Sequence, residues 1–261
     1  MKAKKTDLQK GRVKQLSSVR WSFNADEIQI SPIGDVHYGS PECDEKRFLA
    51  ALELLKSNDN KIILMGDLLE AASKHSVGAG WVEQKKTPQT QLDDLYTLLE
   101  PFKDRILLML DGNHEERIFK HSGIDVTGTL AKMLGVPYGG YACFVYVKLN
   151  KQSYVIHAQH GCSGATMGHT KMNAVKKTAL HTESDLYLYG HVHELGHSRV
   201  SKRYYNTKMK GIRTKHQHFI LTGSFLGYEG GYAERKNMFP SELGFANVTL
   251  NGVKKEIQVQ A

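Results

Sequence analysis

Five short polar clusters between residues 35 and 193 carry side chains that could hold metal ions. They are GDVHYG with Asp35 and His37, GDLLE with Asp67 and Glu70, GNHE with Asn113 and His114, HG with His160, and GHVH with His191 and His193. Carboxylate, amide and imidazole donors without a thiolate suit Mn2+ first, with Fe, Zn2+ or Mg2+ as alternatives, rather than an iron–sulfur cluster. Two such ions roughly 3.5–4 Å apart can clamp a phosphoryl group and turn a water between them into a nucleophile. Such a pair repels itself unless an anion is shared. The leaving alkoxide needs a proton, and His114 is its natural donor. Glu70, one helical turn past Asp67, is placed to bond that imidazole and fix its tautomer. One D-x-H or G-H-x-H alone would be an ordinary turn, but five clusters in order are not expected by chance.

Each cluster follows an apolar run, so strands must carry them. EIQISPIGD alternates toward a strand that ends at Asp35, while KIILMGD and DRILLML are continuous apolar runs suited to strands buried on both faces. Helical spacing runs through Phe48, Leu52 and Leu55 and again through Leu92, Leu95, Leu99 and Phe102, and GIDVTGTLAKMLG forms a helix closed by Gly135. Strand alternating with helix is the pattern of right-handed crossovers and a parallel sheet. In the second half, YACFVYVKLN and SYVIHAQHG form an antiparallel pair, TKMNAVKKTALHT a helix, and LYLYG and QHFILTGSF strands. FANVTL-NG-VKKEIQV is expected to turn back on itself at Asn251-Gly252 in a type I′ hairpin. The sum is a two-sheet α/β sandwich in one domain over residues 21–261, its polar turns gathered at the carboxyl edge where open α/β sheets bind ligands.

The 261 residues suffice for one large domain with a full core. No apolar stretch reaches the roughly 18 residues that span a bilayer, and the basic N-terminus lacks the apolar run of a secretory signal. Cys43, Cys143 and Cys162 are widely spaced and odd in number, which points to free, buried thiols and a cytoplasmic location. The net charge of +8 is unevenly placed. Residues 1–20 hold seven Lys/Arg against one Asp and are expected to form a flexible basic arm. Residues 21–125 are acidic, with 11 Lys/Arg against 19 Asp/Glu, and residues 126–228 are basic, with 13 against three. An acidic half beside a basic half suits a cation site next to a surface for an anion.

The order D-x-H, G-D-x-x-[DE], G-N-H-[DE], H-G, G-H-x-H resembles the calcineurin-like metallophosphoesterase family, over Asp35 to His193. The resemblance implies a four-layered α/β/β/α sandwich with a dinuclear metal centre. Carried over motif by motif, Asp35, His37 and His193 would hold one ion, and Asn113, His160 and His191 the other. Asp67 would bridge both, and His114 would be catalytic rather than a ligand. His160 is preferred to His157 because it precedes the glycine and lies nearer the strand end.

Three features bear on the substrate. Where protein phosphatases of this family carry an arginine after the last acidic residue of G-D-x-x-D, this chain has Ala71 and Ala72, so bidentate recognition of a phosphomonoester loses its usual partner. Arg117 could substitute. Between Leu195 and Tyr228 there are seven Lys/Arg and no acidic residue, with Lys202, Arg203 and Tyr204 adjacent in sequence, so backbone neutralisation and base stacking are both available. The basic arm is a plausible tether to nucleic acid. The expectation is a phosphodiesterase acting on nucleic acid or nucleotides, similar to the nuclease branch of the family. A phosphomonoesterase, or a metal-bound scaffold without turnover, is the alternative.

Overall fold

A computed structural model describes residues 12–72, 84–235, 237 and 239–261. Among these residues eleven strands form two sheets. In the first, β2 (Glu27–Ile33), β3 (Lys61–Leu64) and β4 (Ile106–Met109) run parallel, β10 (Asn247–Asn251) joins antiparallel to β2 and β11 (Ile257–Gln260) antiparallel to β10, giving the order β11-β10-β2-β3-β4. The second contains β1 (Ser18–Phe23), β5 (Ala142–Leu149), β6 (Gln152–Gln159), β7 (Leu186–Tyr189), β8 (Leu195–Asn206) and β9 (Gly211–Thr222), in the order β1-β5-β6-β7-β9-β8. Three short strands, ILLM in β4, LYLY in β7 and most of KIIL in β3, are buried along their length, as apolar runs without alternation require.

The helices are amphipathic and capped by their own sequence. Asp44 accepts from Arg47 N at the start of α1 (Glu45–Lys56), and Thr87 does the same for Thr90 N at α2 (Pro88–Leu99), with proline at the first turn. After α3 (Asn113–Ser122), Asp125 caps α4 (Val126–Leu134), which ends at left-handed Gly135 (φ 72). Phe48, Leu55, Leu95, Leu99 and Leu130 seal α1, α2 and α4 against the five-stranded sheet. A second core lies between the sheets, and α5 (Gly168–Thr178) packs Val175 on Tyr187 and Phe219 outside the six-stranded one. The layers are helix, sheet, sheet, helix, as expected. Leu55 is fully buried, so Leu55→Ala should cost about 2–5 kcal/mol.

Four local expectations change. The basic arm does not extend to residue 20: Ser18–Phe23 is β1, paired parallel with β5. Ahead of it, residues 12–17 form a strap. Arg12 lies buried between Asp111 and Glu116 with its guanidinium over Phe119. Val13 N donates to Asp125 Oδ2, and Leu16 N to the carbonyl of Tyr138. Residues 1–11 of the expected arm lie outside the described residues. Second, α3 escaped the periodicity reading because NHEERIFKHS buries only Glu115 within the helix. Third, Asn251-Gly252 is not a two-residue turn. Leu250 pairs with Ile257, and Gly252 instead closes on the carbonyl of Asp26 at 2.7 Å. Fourth, Cys43 and Cys143 are buried but Cys162 is exposed. Among the described residues no helix is long and apolar enough to cross a membrane.

Candidate metal centre

The turns that leave β2, β3, β4, β6 and β7 bring the five clusters to one edge of the sandwich. Asp35, His37, Asp67, His191 and His193 all take left-handed backbone, with φ of 48, 52, 48, 67 and 49. Such conformations cost of order 1–3 kcal/mol each and persist where the surroundings over-determine them. Here Asp35 N donates to Gly66 O and His37 N to Asp67 O, both at 3.0 Å. The Asp35 carbonyl accepts from Ser224 Oγ and Phe225 N, and its Oδ2 from His191 N at 2.8 Å. Gly112 is dictated by contact: a methyl group there would sit 2.1 Å from Asp67 N.

Glu115 is the residue that sequence reasoning missed. It turns inward from the first turn of α3, and its carboxylate accepts the amides of Asp67, Leu68 and Leu69 at 3.1, 2.7 and 3.1 Å. It thus fixes the turn that presents Asp67. Its position directly after His114, with no surface reason for a carboxylate there, was the signal available.

The side-chain atoms that meet at this edge are almost all acceptors, because hydrogen bonds on their outer sides hold the protons away. His37 Nδ1 faces Glu70 Oε2 at 3.1 Å, so the lone pair of Nε2 points inward, 3.1 Å from Nε2 of His193. His160 Nδ1 donates to the Met65 carbonyl at 2.8 Å, which leaves Nε2 3.1 Å from Asn113 Oδ1 and 3.4 Å from Asp67 Oδ2. His191 Nδ1 lies 2.6 Å from the same amide oxygen. Asp35 Oδ1 is buried without a hydrogen-bond partner among the described residues, 3.3 Å from His193 Nε2. Buried acceptors without donors are destabilising, and a cation within each group removes the conflict. Asp35, His37 and His193 make one such group, and Asp67, His160 and His191 another, with Asn113 beside it. Asp67 Oδ2 is also 3.9 Å from His37 Nε2, so it stands between the groups. The residues fit two divalent cations with Asp67 as the shared anion. A third group, His37, Glu70 and His114, is already satisfied by hydrogen bonding.

Charge follows the same geometry. Burial works against ionised Asp67, but His160 and His114 hold its carboxyl well below the usual range. Burial also opposes ionised Glu70, yet hydrogen bonds from His114 and His37 bring it down to about 2. Burial disfavours the imidazolium of His160, but the charge of Asp67 raises it to about 10. Burial and the charge of His160 lower His191 to about 4. His114 is raised above its ordinary value, since Asp67 and Glu70 outweigh its burial. Without a cation, therefore, the edge recruits a proton onto His160, and metal must displace it.

The structure brings Asp35, His37, Asp67, Asn113, His160, His191 and His193 together, with His114 beside them. His157 instead packs in the sheet against Phe144 and Tyr187, where burial lowers it to about 4. The Glu70 carboxylate reaches His114 Nδ1 as expected, at 3.4 Å, but Glu70 does more than that. Its backbone carbonyl, not its carboxylate, is the nearer partner of His114 Nδ1, at 2.9 against 3.4 Å, and the carboxylate sits closer to His37. The left-handed reversal at Ala71 (φ 45) accompanies this inward carbonyl. Arg117 lies one turn along α3 from His114, and its Nε and Nη2 are buried without a hydrogen-bond partner among the described residues. Lys202, Arg203 and Tyr204 do not reach the centre. β8 leaves it at Leu195, and Lys202 follows about 24 Å up the strand at ~3.4 Å per residue. His169 is exposed, and His75 lies outside the described residues.

No protein-family model and no curated protein matches the chain. Among solved structures it is similar to a single mutant of Vps29 from Entamoeba histolytica, with 14% identity over 89% of this chain and 97% of that one and a TM-score of 0.44. It is also similar to a metallophosphoesterase from Sphaerobacter thermophilus, with 13% identity over 89% and 87% and a TM-score of 0.40. A third is the calcineurin-like phosphoesterase YfkN from Bacillus subtilis, with 10% identity over 90% of both chains and a TM-score of 0.36. Two of these three solved structures are named as phosphoesterases.

Proposed function

We propose that the protein is a metal-dependent phosphoesterase whose substrate is a phosphodiester of nucleic acid or of a nucleotide. The observation that carries this reading is the buried convergence of acceptors from Asp35, His37, Asp67, Asn113, His160, His191 and His193 with His114 at its border. When bound, two divalent cations supply Lewis-acid polarisation of the phosphoryl oxygens and lower the pKa of a water. The chain does the rest. His37 is oriented by Glu70 and His160 by the Met65 carbonyl, which keeps both lone pairs aimed inward. His114, its Nδ1 tied to the Glu70 carbonyl, presents Nε2 toward the centre, 3.9 Å from Asp67 Oδ2, and donates its proton to the departing oxygen.

Two features support a diester. Ala71 and Ala72 follow Glu70 where a second anion-binding side chain would be needed, and both are buried. Arg117 offers a guanidinium whose Nε and Nη2 have no hydrogen-bond partner among the described residues. A single cation suits the one charge of a diester better than the ~2 charges of a monoester. The free cysteines support a reducing, cytoplasmic setting.

The test is turnover by Mn2+-loaded protein on bis(nitrophenyl) phosphate, nitrophenyl phosphate, and single- and double-stranded DNA and RNA. Diester turnover that chelator abolishes and Mn2+ restores is expected. A preference for the monoester would convert the reading to a phosphatase, and metal binding without any turnover would make it a scaffold.

A further inference from the structure

The hairpin of β8 and β9 is supported by the rest of its sheet over only part of its length. β9 pairs with β7 from His218 to Leu221, toward the metal centre. The ladder between β8 and β9 continues away from it, from Val200 opposite Gln217 to Asn206 opposite Gly211. Along that stretch residues 199–205 are all exposed, without the alternation that a core beneath one face imposes. A two-stranded ribbon roughly 24 Å long therefore leaves the sandwich at the end opposite the metals.

Such a hairpin is marginal in water by itself, and its charges oppose it further. Lys202 stands directly across from Lys215. Glu183 reaches Lys215 at 2.9 Å and Lys202 at 3.4 Å. Arg199, Arg203, Lys208, Lys210 and Arg213 make no ion pair among the described residues. The register places Arg199, Arg203 and Tyr205 on one face and Lys202, Tyr204 and Arg213 on the other. Both faces are thus basic, and Tyr204 and Tyr205 are exposed.

We infer that this ribbon is a docking arm for double-stranded DNA, separate from the metal centre. A two-stranded ribbon fits the B-form major groove, about 12 Å wide, and positive charge on both faces meets a phosphate wall on each side. The deep, narrow major groove of A-form RNA does not admit it. A lipid surface would call for one apolar face or tip, whereas Val200 and Ile212 fall on opposite faces and Met209 sits between Lys208 and Lys210. The arm extends the nucleic-acid reading of the substrate and rests on it for its purpose, but its binding can be measured with the metal centre silent.

The experiment follows a labelled short duplex by fluorescence anisotropy, with the protein held in chelator. Affinity should fall steeply between roughly 50 and 200 mM salt. The combined variant Arg203→Gln, Lys208→Gln, Lys210→Gln, Arg213→Gln should flatten the log–log salt slope by about three to four and weaken low-salt binding at least tenfold. The same loss of charge at exposed Lys46, Lys56, Lys103 and Lys132 should change the slope by less than about one. Excising residues 201–216 in favour of a tight turn should match the first variant, with circular dichroism confirming that each protein is folded. Equal losses from the control set, tighter binding of single strands or RNA, or binding to phosphatidylserine vesicles but not to duplex would each overturn the inference. Duplex binding without phosphoester turnover would sink the proposed activity and leave the arm standing. Turnover without duplex binding would do the reverse.

Discussion

The strands β8 and β9 run between two ends of the molecule that treat charge in opposite ways. At the metal end, carboxylates and imidazoles are buried, face one another at 3–4 Å and sit on left-handed turns. At the ribbon end, arginines and lysines stand in water on an extended hairpin and its turn, and most form no ion pair among the described residues. A buried charge is tolerated only when a counter-charge arrives at a defined point, so the metal end should respond to substitution steeply and all at once. An exposed charge acts through the mean field, so the ribbon should respond by increments and dissolve in salt.

The steepest test of that contrast is Asp67→Asn, which removes the shared anion. Turnover should fall by more than about a thousandfold, and elemental analysis should show both ions lost or weakened. Retention of both ions would mean that Asp67 is not shared. Next, His114→Ala should keep its metal while losing roughly two to four orders of magnitude on substrates with poor leaving groups. On nitrophenolate esters, which depart without a proton, the loss should shrink. An equal loss on both would remove the acid role. Arg12→Met leaves Asp111 buried beside no cation, and denaturant unfolding should show about 3 kcal/mol of lost stability. Glu70→Gln loses the charge that orients His37, so metal affinity should drop by about 10–100-fold.

A further effect is one of pH. In metal-free protein the folded value of His160, about 10, lies above its ordinary 6.5, so its contribution to stability is complete below pH 6.5 and is lost as pH rises through about 10. The melting temperature in chelator should therefore decline over that window. In metal-loaded protein the proton is already displaced, and the decline should be absent. A decline common to both forms would assign it to other groups.

The metal end was largely readable in the sequence because its chemistry needs particular residue types directly after apolar runs. Asp35, His37, Asp67, Asn113, His160, His191 and His193 are side chains for which few other reasons exist at strand ends. Glu115 and Glu70 were less legible, since what decides their partners is the path of the backbone between Asp67 and Ala71. β1 was hidden by its composition: SVRWSF alternates, but the basic residues before it read as solvent-exposed tail. The basic stretch after His193 was visible as charge. That it points away from the metals depends on strand direction, which charge does not encode.

The strap at residues 12–17 has a consequence in time. Arg12 is translated 99 residues before Asp111, and Val13 112 before Asp125. At ~5–20 residues per second, a side chain destined for burial waits roughly 5–20 s for its counter-ion to emerge. The Asp35 carbonyl waits longer still, for Ser224 and Phe225. A ribosome pausing between residues 138 and 222 would thus hold a chain whose strap can close while its strained turns remain open. Synonymous codons that slow this interval should change the yield of metal-competent protein without changing a single residue.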